Sequence, residues 1–291
     1  MIQRRCAVVL FCVVGLLLAG CGHYSQQVLA NTVSKDGVML AYSVYGQGDV
    51  TLIFIHGWGG DGRYWSNQVP YFASKYRVVT MDLAGHGHSG TLREAYTVEA
   101  FGQDVVSVLE AVDAKKAILI GHSMSGTIAL QAAVLAPDKV IGVVGVDTLQ
   151  DMGQDWGEKG TQFYDFLAAD FKTNTTQAIG DMFPKNADPA LVETVARDIS
   201  GAPREIALNA IQHYVQAKDS DYVSQLHIPI KCVNADLWPN NVERNKQLAA
   251  SFEMELMKGY GHFIMLEAPD EFNRLLERMI KSILRENSRK S

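Results

Sequence analysis

Apolar residues along this chain fall into two recurring patterns. The first is the short, mostly apolar run: residues 51–55 (TLIFI), 77–81, 117–120 (AILI), 140–146 and 228–233. Aliphatic runs of this length predict strands buried on both faces, as in a parallel sheet. The second is apolar spacing at helical period. Val98, Phe101, Val105, Val108, Leu109 and Val112 share one stripe of a helix predicted over 97–111. Phe272, Leu275, Leu276, Met279, Ile280 and Ile283 share one stripe of a closing helix over 269–284. Runs and stripes alternate, which predicts an α/β fold: a mostly parallel sheet with helices on both faces. Residues 32–35 and 38–45 read as a hairpin turned by Asp36-Gly37. Residues 64–75 read as a helix interrupted by Pro70, 242–250 as another, and 252–257 as the last strand.

Residues 149–226 break the alternation. They hold no strand-like run, and helices are predicted over 161–171, 175–182, 189–199 and 204–217, with Pro189 and Pro203 in first turns. A helical insert between two sheet strands predicts a cap over a core made of residues 32–148 and 227–291. Trp156, Phe163, Tyr164, Phe166, Phe171, Phe183 and Tyr214 would roof a pocket or hold the cap to the body.

Composition changes the picture at the N-terminus. Arg4 and Arg5 precede an apolar stretch from Cys6 to Ala19 that is too short for a comfortable membrane span. Leu18-Ala19-Gly20-Cys21 resembles the bacterial lipobox. That resemblance implies a signal peptide over 1–20, a lipid on Cys21 that holds the chain to a membrane, and a tether over 21–31. Gly22 after the cysteine resembles the pattern of lipoproteins sent to the outer membrane, facing the periplasm. Three of the four cysteines lie in the first 21 residues, which leaves no disulfide framework, and Cys232 is expected in a buried strand. The net charge is −6 with no basic run in the body, which argues against nucleic acid as a partner.

The candidate chemistry centres on Gly121-His122-Ser123-Met124-Ser125-Gly126, between the run at 117–120 and a helix faced with Ala129, Ala132, Ala133 and Ala136. A strand, a tight turn with a serine at its tip and a small-residue helix form the layout of a nucleophile elbow. Ser125 stands where G-x-S-x-G has its second glycine. A serine hydroxyl needs a base, and His262 lies in a Gly-flanked loop between the last strand and the last helix. His122 is expected to point away from the serine, and the pair His86 and His88 lacks a third metal ligand. The base needs an acid. Asp147 and Asp236 both end strands on the correct side, Asp147 being preferred and Asp236 the alternative. The oxyanion needs N–H donors, expected from Met124 and from Trp58 in the Gly-rich loop after residue 55. His56 is expected to hold that loop.

His56-Gly57-Trp58-Gly59, Asp82-Leu83-Ala84-Gly85-His86-Gly87-His88-Ser89, the elbow and Gly261-His262 occur in an order and spacing that resemble the α/β-hydrolase fold family. The resemblance covers about residues 32 to 286. It implies an eight-stranded sheet, a triad in the order Ser, acid, His, and a helical cap after the sixth strand. It also carries a departure: in most relatives the acid lies three residues past a Gly ending the seventh strand, and Trp238 occupies that place here. The implied activity is hydrolysis of carboxylic esters of small to medium acids through an acyl-enzyme, with no cofactor or metal. Amide, lactone or carbon–carbon cleavage, acyl transfer, cofactor-free haloperoxidase chemistry and a non-catalytic binding protein on the same scaffold are the alternatives.

Overall fold

The computed structural model describes residues 27–289. Residues 1–20, Cys21 and the start of the expected tether lie outside them. One eight-stranded sheet has the order β1-β2-β4-β3-β5-β6-β7-β8. Its strands are β1 (Val28–Val33), β2 (Met39–Tyr45), β3 (Thr51–Ile55), β4 (Arg77–Met81), β5 (Ala117–His122), β6 (Val140–Val146), β7 (Ile230–Ala235) and β8 (Glu253–Met257). β2 runs antiparallel to β1 and β4, and the remaining pairs are parallel. Every residue of β3, β5 and β7 is buried; the apolar runs of β3 and β5 predict this, whereas β7 also buries Asn234 and Lys231, the latter paired with Glu286 at 2.5 Å.

α2 (Val98–Ala111) starts at Thr97, whose hydroxyl accepts from the Ala100 N–H. α3 (Met124–Leu135) follows the elbow, and its Ala129, Ala132 and Ala133 are fully buried. The last helix, Pro269–Ser288, sinks Phe272, Leu276, Met279, Ile280 and Ile283 into the core. Each such side chain contributes about 2 kcal/mol by leaving water.

Three expectations are corrected. Residues 28–31 are not tether: they form the first four of the six residues of β1, with Val28 opposite Val44 and Asn31 opposite Ala41. Leu29 and Val33 point outward on this edge strand, so no inward apolar alternation marks it. Residues 64–75 do not form one helix. They split into a 3-10 turn (Gly62–Trp65) and a single helical turn, α1 (Val69–Phe72), in which Pro70 is tolerated because first-turn N–H groups have no helical acceptor. Between β6 and β7 lie five helices rather than four: α4 (Gly157–Ala169), α5 (Phe171–Asp181), α6 (Pro189–Ser200), α7 (Arg204–Tyr214) and α8 (Asp219–Val223). α5 begins at Asp170, whose carboxylate accepts from the Thr173 N–H, and Pro203 caps α7 instead of entering its first turn.

Candidate active site

Strand order fixes where a site can form. After β3 the chain steps outward to β4, then returns across β3 to β5. Loops leaving β3 and β5 therefore diverge, and ligands in open α/β sheets bind in the crevice at such a point. Ile55 and Gly121 are in register, so the loop carrying His56 to Gly60 and the elbow leave the sheet side by side.

Ser123 has φ 53° and ψ −126°, a backbone state that side-chain-bearing residues rarely adopt. The neighbours impose it. Ser123 N–H donates to Val146 O at 3.1 Å, and Ser123 O accepts from Gly126 N–H at 2.9 Å. A Cβ on Gly121 would lie 2.0 Å from the Ser125 carbonyl oxygen, so no larger residue fits there. Ser125, at the departure from the motif, is buried and donates its hydroxyl to His56 O at 2.5 Å. It ties the elbow to the facing loop.

That facing loop is held by His56. Its Nε2 accepts from Leu83 N–H at 3.0 Å, so its Nδ1 carries the proton given to Gly57 O at 2.8 Å. Burial keeps this ring neutral, and burial pushes His86 down to about 3. A Cβ on Gly57 would sit 2.7 Å from His122 Nδ1 and 3.1 Å from Ser123 Cβ, so the loop lies directly on the elbow. Among the described residues, the backbone N–H groups of Trp58 and Met124 have no acceptor, and both residues line the cavity that holds Ser123. Met124 opens α3, where N–H groups lack helical partners and the helix dipole favours negative charge.

His262 and Asp147 meet. His262 Nδ1 lies 2.6 Å from Asp147 Oδ2, with both side chains buried. Asp147 Oδ1 accepts from Ala235 N–H at 2.8 Å, and Asp147 N–H donates to Val233 O. The residue turns at φ 44°, which aims its carboxylate across β7 toward the loop after β8. Asp236 is brought elsewhere: it is exposed, and its carboxylate accepts from Gly259 N–H at 2.7 Å. Trp238, at the position the resemblance assigns to the acid, sets its ring edge-on to His262 with centroids 5.1 Å apart.

Three further contacts hold His262 and have no clear mark in the sequence. The Glu267 carboxylate accepts from Gly261 N–H and Phe263 N–H, the amides on either side of His262. Burial raises the Glu267 pKa, partly offset by those same bonds. Met182 O, between α5 and α6, accepts from His262 N–H at 2.8 Å. His122 does more than point away. Its Nε2 donates to His262 O at 2.9 Å, its ring lies 4.6 Å from the His262 ring, and burial keeps it neutral.

Ser123, His262, Asp147, Trp58 and Met124 all line one cavity of about 570 Å³, closed above by Phe163, Ile179, Ile199, Ile211 and Tyr214 of the helical insert. Of the roofing aromatics expected, Phe163, Trp156 and Tyr214 line it, whereas Phe171 packs edge-on against Trp58 and Phe183 stacks on Phe263. Among the described residues no group of three His, Cys, Asp or Glu side chains could hold a metal ion. His86 Nδ1 instead bonds Ala84 O. Cys232 is buried in β7, where burial pushes its thiol up.

A serine in an enforced turn, an imidazole held by a buried carboxylate and two free amides on one cavity can support attack on a carbonyl. The comparisons agree with the fold. Over 259 residues the chain is 24% identical to 3-oxoadipate enol-lactonase 2 of Acinetobacter baylyi, covering 86% of this chain and 96% of that protein. Over 151 residues it is 32% identical to the dihydrolipoyllysine-residue acetyltransferase component of the acetoin cleaving system of Pseudomonas putida; that match covers 52% of this chain and 39% of the relative. The solved structure of Est816, described as an N-acyl homoserine lactone degrading enzyme, superposes with a TM-score of 0.74 at 25% identity, covering 85% of this chain and 99% of Est816. A family model described as the alpha/beta hydrolase fold matches residues 50–198, half of the chain, across the β3 loop, the elbow and the start of the insert. With that match and this strand order together, the chain belongs to the α/β-hydrolase fold family.

Proposed function

We propose that this chain is a serine hydrolase that cleaves carboxylic esters of small to medium acyl groups. The observation that carries the reading is the joint placement of Ser123 and an Asp147-paired His262 on one cavity of about 570 Å³. Ser123 Oγ attacks the acyl carbonyl and gives its proton to His262 Nε2. Asp147 holds the imidazole with Nδ1 protonated and stabilises the imidazolium. The Trp58 and Met124 amides take the oxyanion. His262 passes the proton to the departing alcohol, and water then releases the acid by the same steps. No cofactor enters this scheme.

Lactones are cyclic esters, and the named activities of the enol-lactonase and of Est816 favour them as a second substrate class. A panel of p-nitrophenyl esters of rising acyl length tests the reading. A cavity of this volume predicts that kcat/KM peaks at short to medium chains and falls by at least about tenfold for long ones. No hydrolysis at any length sinks it.

We further propose that Cys21 is diacylated and anchors the chain in the bacterial envelope, as the stretch before it suggests. Metabolic labelling with a radioactive fatty acid is expected to mark the full-length chain and to leave Cys21→Ser unlabelled. Equal labelling of both overturns the anchor.

A further inference from the structure

Asp219 is a charged group for which the proposed mechanism has no use. It opens α8 and lines the same cavity as Ser123. Its Oδ1 accepts from Thr127 Oγ1 at 2.7 Å. Among the described residues that hydroxyl is its one hydrogen-bond partner, and no Lys, Arg or His pairs with it. Protein encloses it, yet part of its surface stays open, which is the condition of a group facing an internal cavity. Burial raises its pKa to about 6.

The surroundings are polar but carry no cation aimed at it. Tyr214 is half-buried, and desolvation followed by the Asp219 charge pushes its phenol up, with the Thr127 and Thr148 hydroxyls acting against that shift. The Tyr214 and Thr148 residues and the Asp219 carboxylate lie on the cavity wall, with the buried Thr127 behind the carboxylate. Of the other charged groups on the lining, Asp155 is tied to Lys218 at 2.7 Å and Asp151 to Arg244 at 3.5 Å. Asp147 is held by His262, and Lys159 on α4 is exposed. A buried carboxylate ordinarily gathers several donors or a cation, because desolvation is otherwise uncompensated. Here one oxygen has no donor.

The position is set by α3. Thr127 lies in the first turn of α3, the helix that Ser123 precedes. Asp219 accepts from Thr127 and lines the cavity that also holds Ser123, so it faces a substrate seated on that serine. We propose that Asp219 and Tyr214, with Thr127 holding the carboxylate from behind, form a subsite that reads a hydrogen-bond donor, a hydroxyl or an ammonium, carried on the substrate a few bonds from the scissile carbonyl, and that rejects a carboxylate in the same place. The proposal rests on the hydrolase reading only for the position of that carbonyl.

Binding and turnover test it separately. Three ethyl esters of similar shape serve as probes: ethyl γ-(dimethylamino)butyrate, cationic at neutral pH; its neutral carbon isostere ethyl 5-methylhexanoate; and anionic monoethyl adipate. A fourth, ethyl 6-hydroxyhexanoate, separates a hydroxyl from an ammonium as the group read. Calorimetry on Ser123→Ala, which keeps the probes intact, is expected to show the amino or hydroxy ester bound at least about tenfold tighter than the isostere, and the anionic ester weakest. In Ser123→Ala/Asp219→Asn that preference is expected to fall below about twofold. With the unaltered chain the same order is expected in kcat/KM, expressed through KM rather than kcat.

A readout without ligand completes the test. The Asp219 pKa lies above its unfolded value of 3.8, so the native state holds more protons between 3.8 and about 6, and stability falls as pH rises through that window. Asp219→Asn keeps the bond from Thr127 and has no charge to bury. It is expected to raise Tm at about pH 7.5 and to leave it unchanged at about pH 4. Equal binding of the cationic, hydroxy and neutral probes, a preference that survives Asp219→Asn, or tightest binding of the anionic ester overturns the subsite. Failure of all turnover with the binding preference intact overturns the hydrolase reading alone.

Discussion

Ser123→Ala is expected to lower kcat for ester hydrolysis by roughly 10⁴ to 10⁶ and to abolish labelling by a fluorophosphonate probe. Removing Oγ takes away the atom that would form the acyl bond, so residual turnover would come from water attacking a carbonyl polarised by the Trp58 and Met124 amides. The substitution leaves the turn itself in place. Alanine meets the same φ of 53° as serine, and the bonds from Ser123 N–H and to Ser123 O are main-chain. Tm should therefore shift little, which separates lost chemistry from lost fold. Labelling or turnover that survives in Ser123→Ala would remove the serine from the mechanism.

Asp147→Asn should come next in size, at roughly 10⁴ in kcat. Asp147 uses both oxygens, one on His262 Nδ1 and one on Ala235 N–H. An asparagine must keep its carbonyl toward one and turn its amide nitrogen to the other. With the carbonyl on Ala235 N–H, the amide donates to Nδ1 and the proton moves to Nε2. The ring then presents N–H, not a lone pair, to Ser123. Asp236→Asn is the paired control. Asp236 accepts from Gly259 N–H on the surface, a bond that asparagine keeps, so kcat is expected to stay within about threefold. Steady-state assays on both variants decide the matter, and a large loss confined to Asp236→Asn would transfer the acid role to it.

Legibility followed the physics of each element. β3, β4 and β6 have the same bounds in the structure as in the apolar runs, because strands walled on both faces must be apolar throughout. The first four residues of β1 were illegible because an edge strand needs only backbone pairing and Leu29 faces outward, whereas its hairpin with β2 was marked by Asp36-Gly37. Residues 64–75 carry helical composition, but Pro70 fits only the first turn of a helix, so α1 starts at Val69 and stands apart from the 3-10 turn that ends at Trp65. Ser123, His262 and both aspartates could be named from motif and strand ends. Which aspartate reaches His262 depends on the φ of Asp147 and on how β6, β7 and β8 align, quantities that belong to the assembled sheet. Glu267 acts through backbone amides, and Asp219 is a single aspartate in a polar stretch. Neither spacing nor composition distinguishes them.

The insert is joined to the core at two points that are also parts of the site. Met182 O receives the His262 N–H, and Ala207 O receives the Trp58 indole N–H at 2.7 Å. Roof and machinery therefore share hydrogen bonds. A roof that lifted as a rigid hatch would break both bonds, so the hold on His262 and the hold on the loop of Trp58 would be lost together. The same coupling makes the insert a poor interchangeable module: grafting a relative's insert onto this sheet would change reactivity along with selectivity.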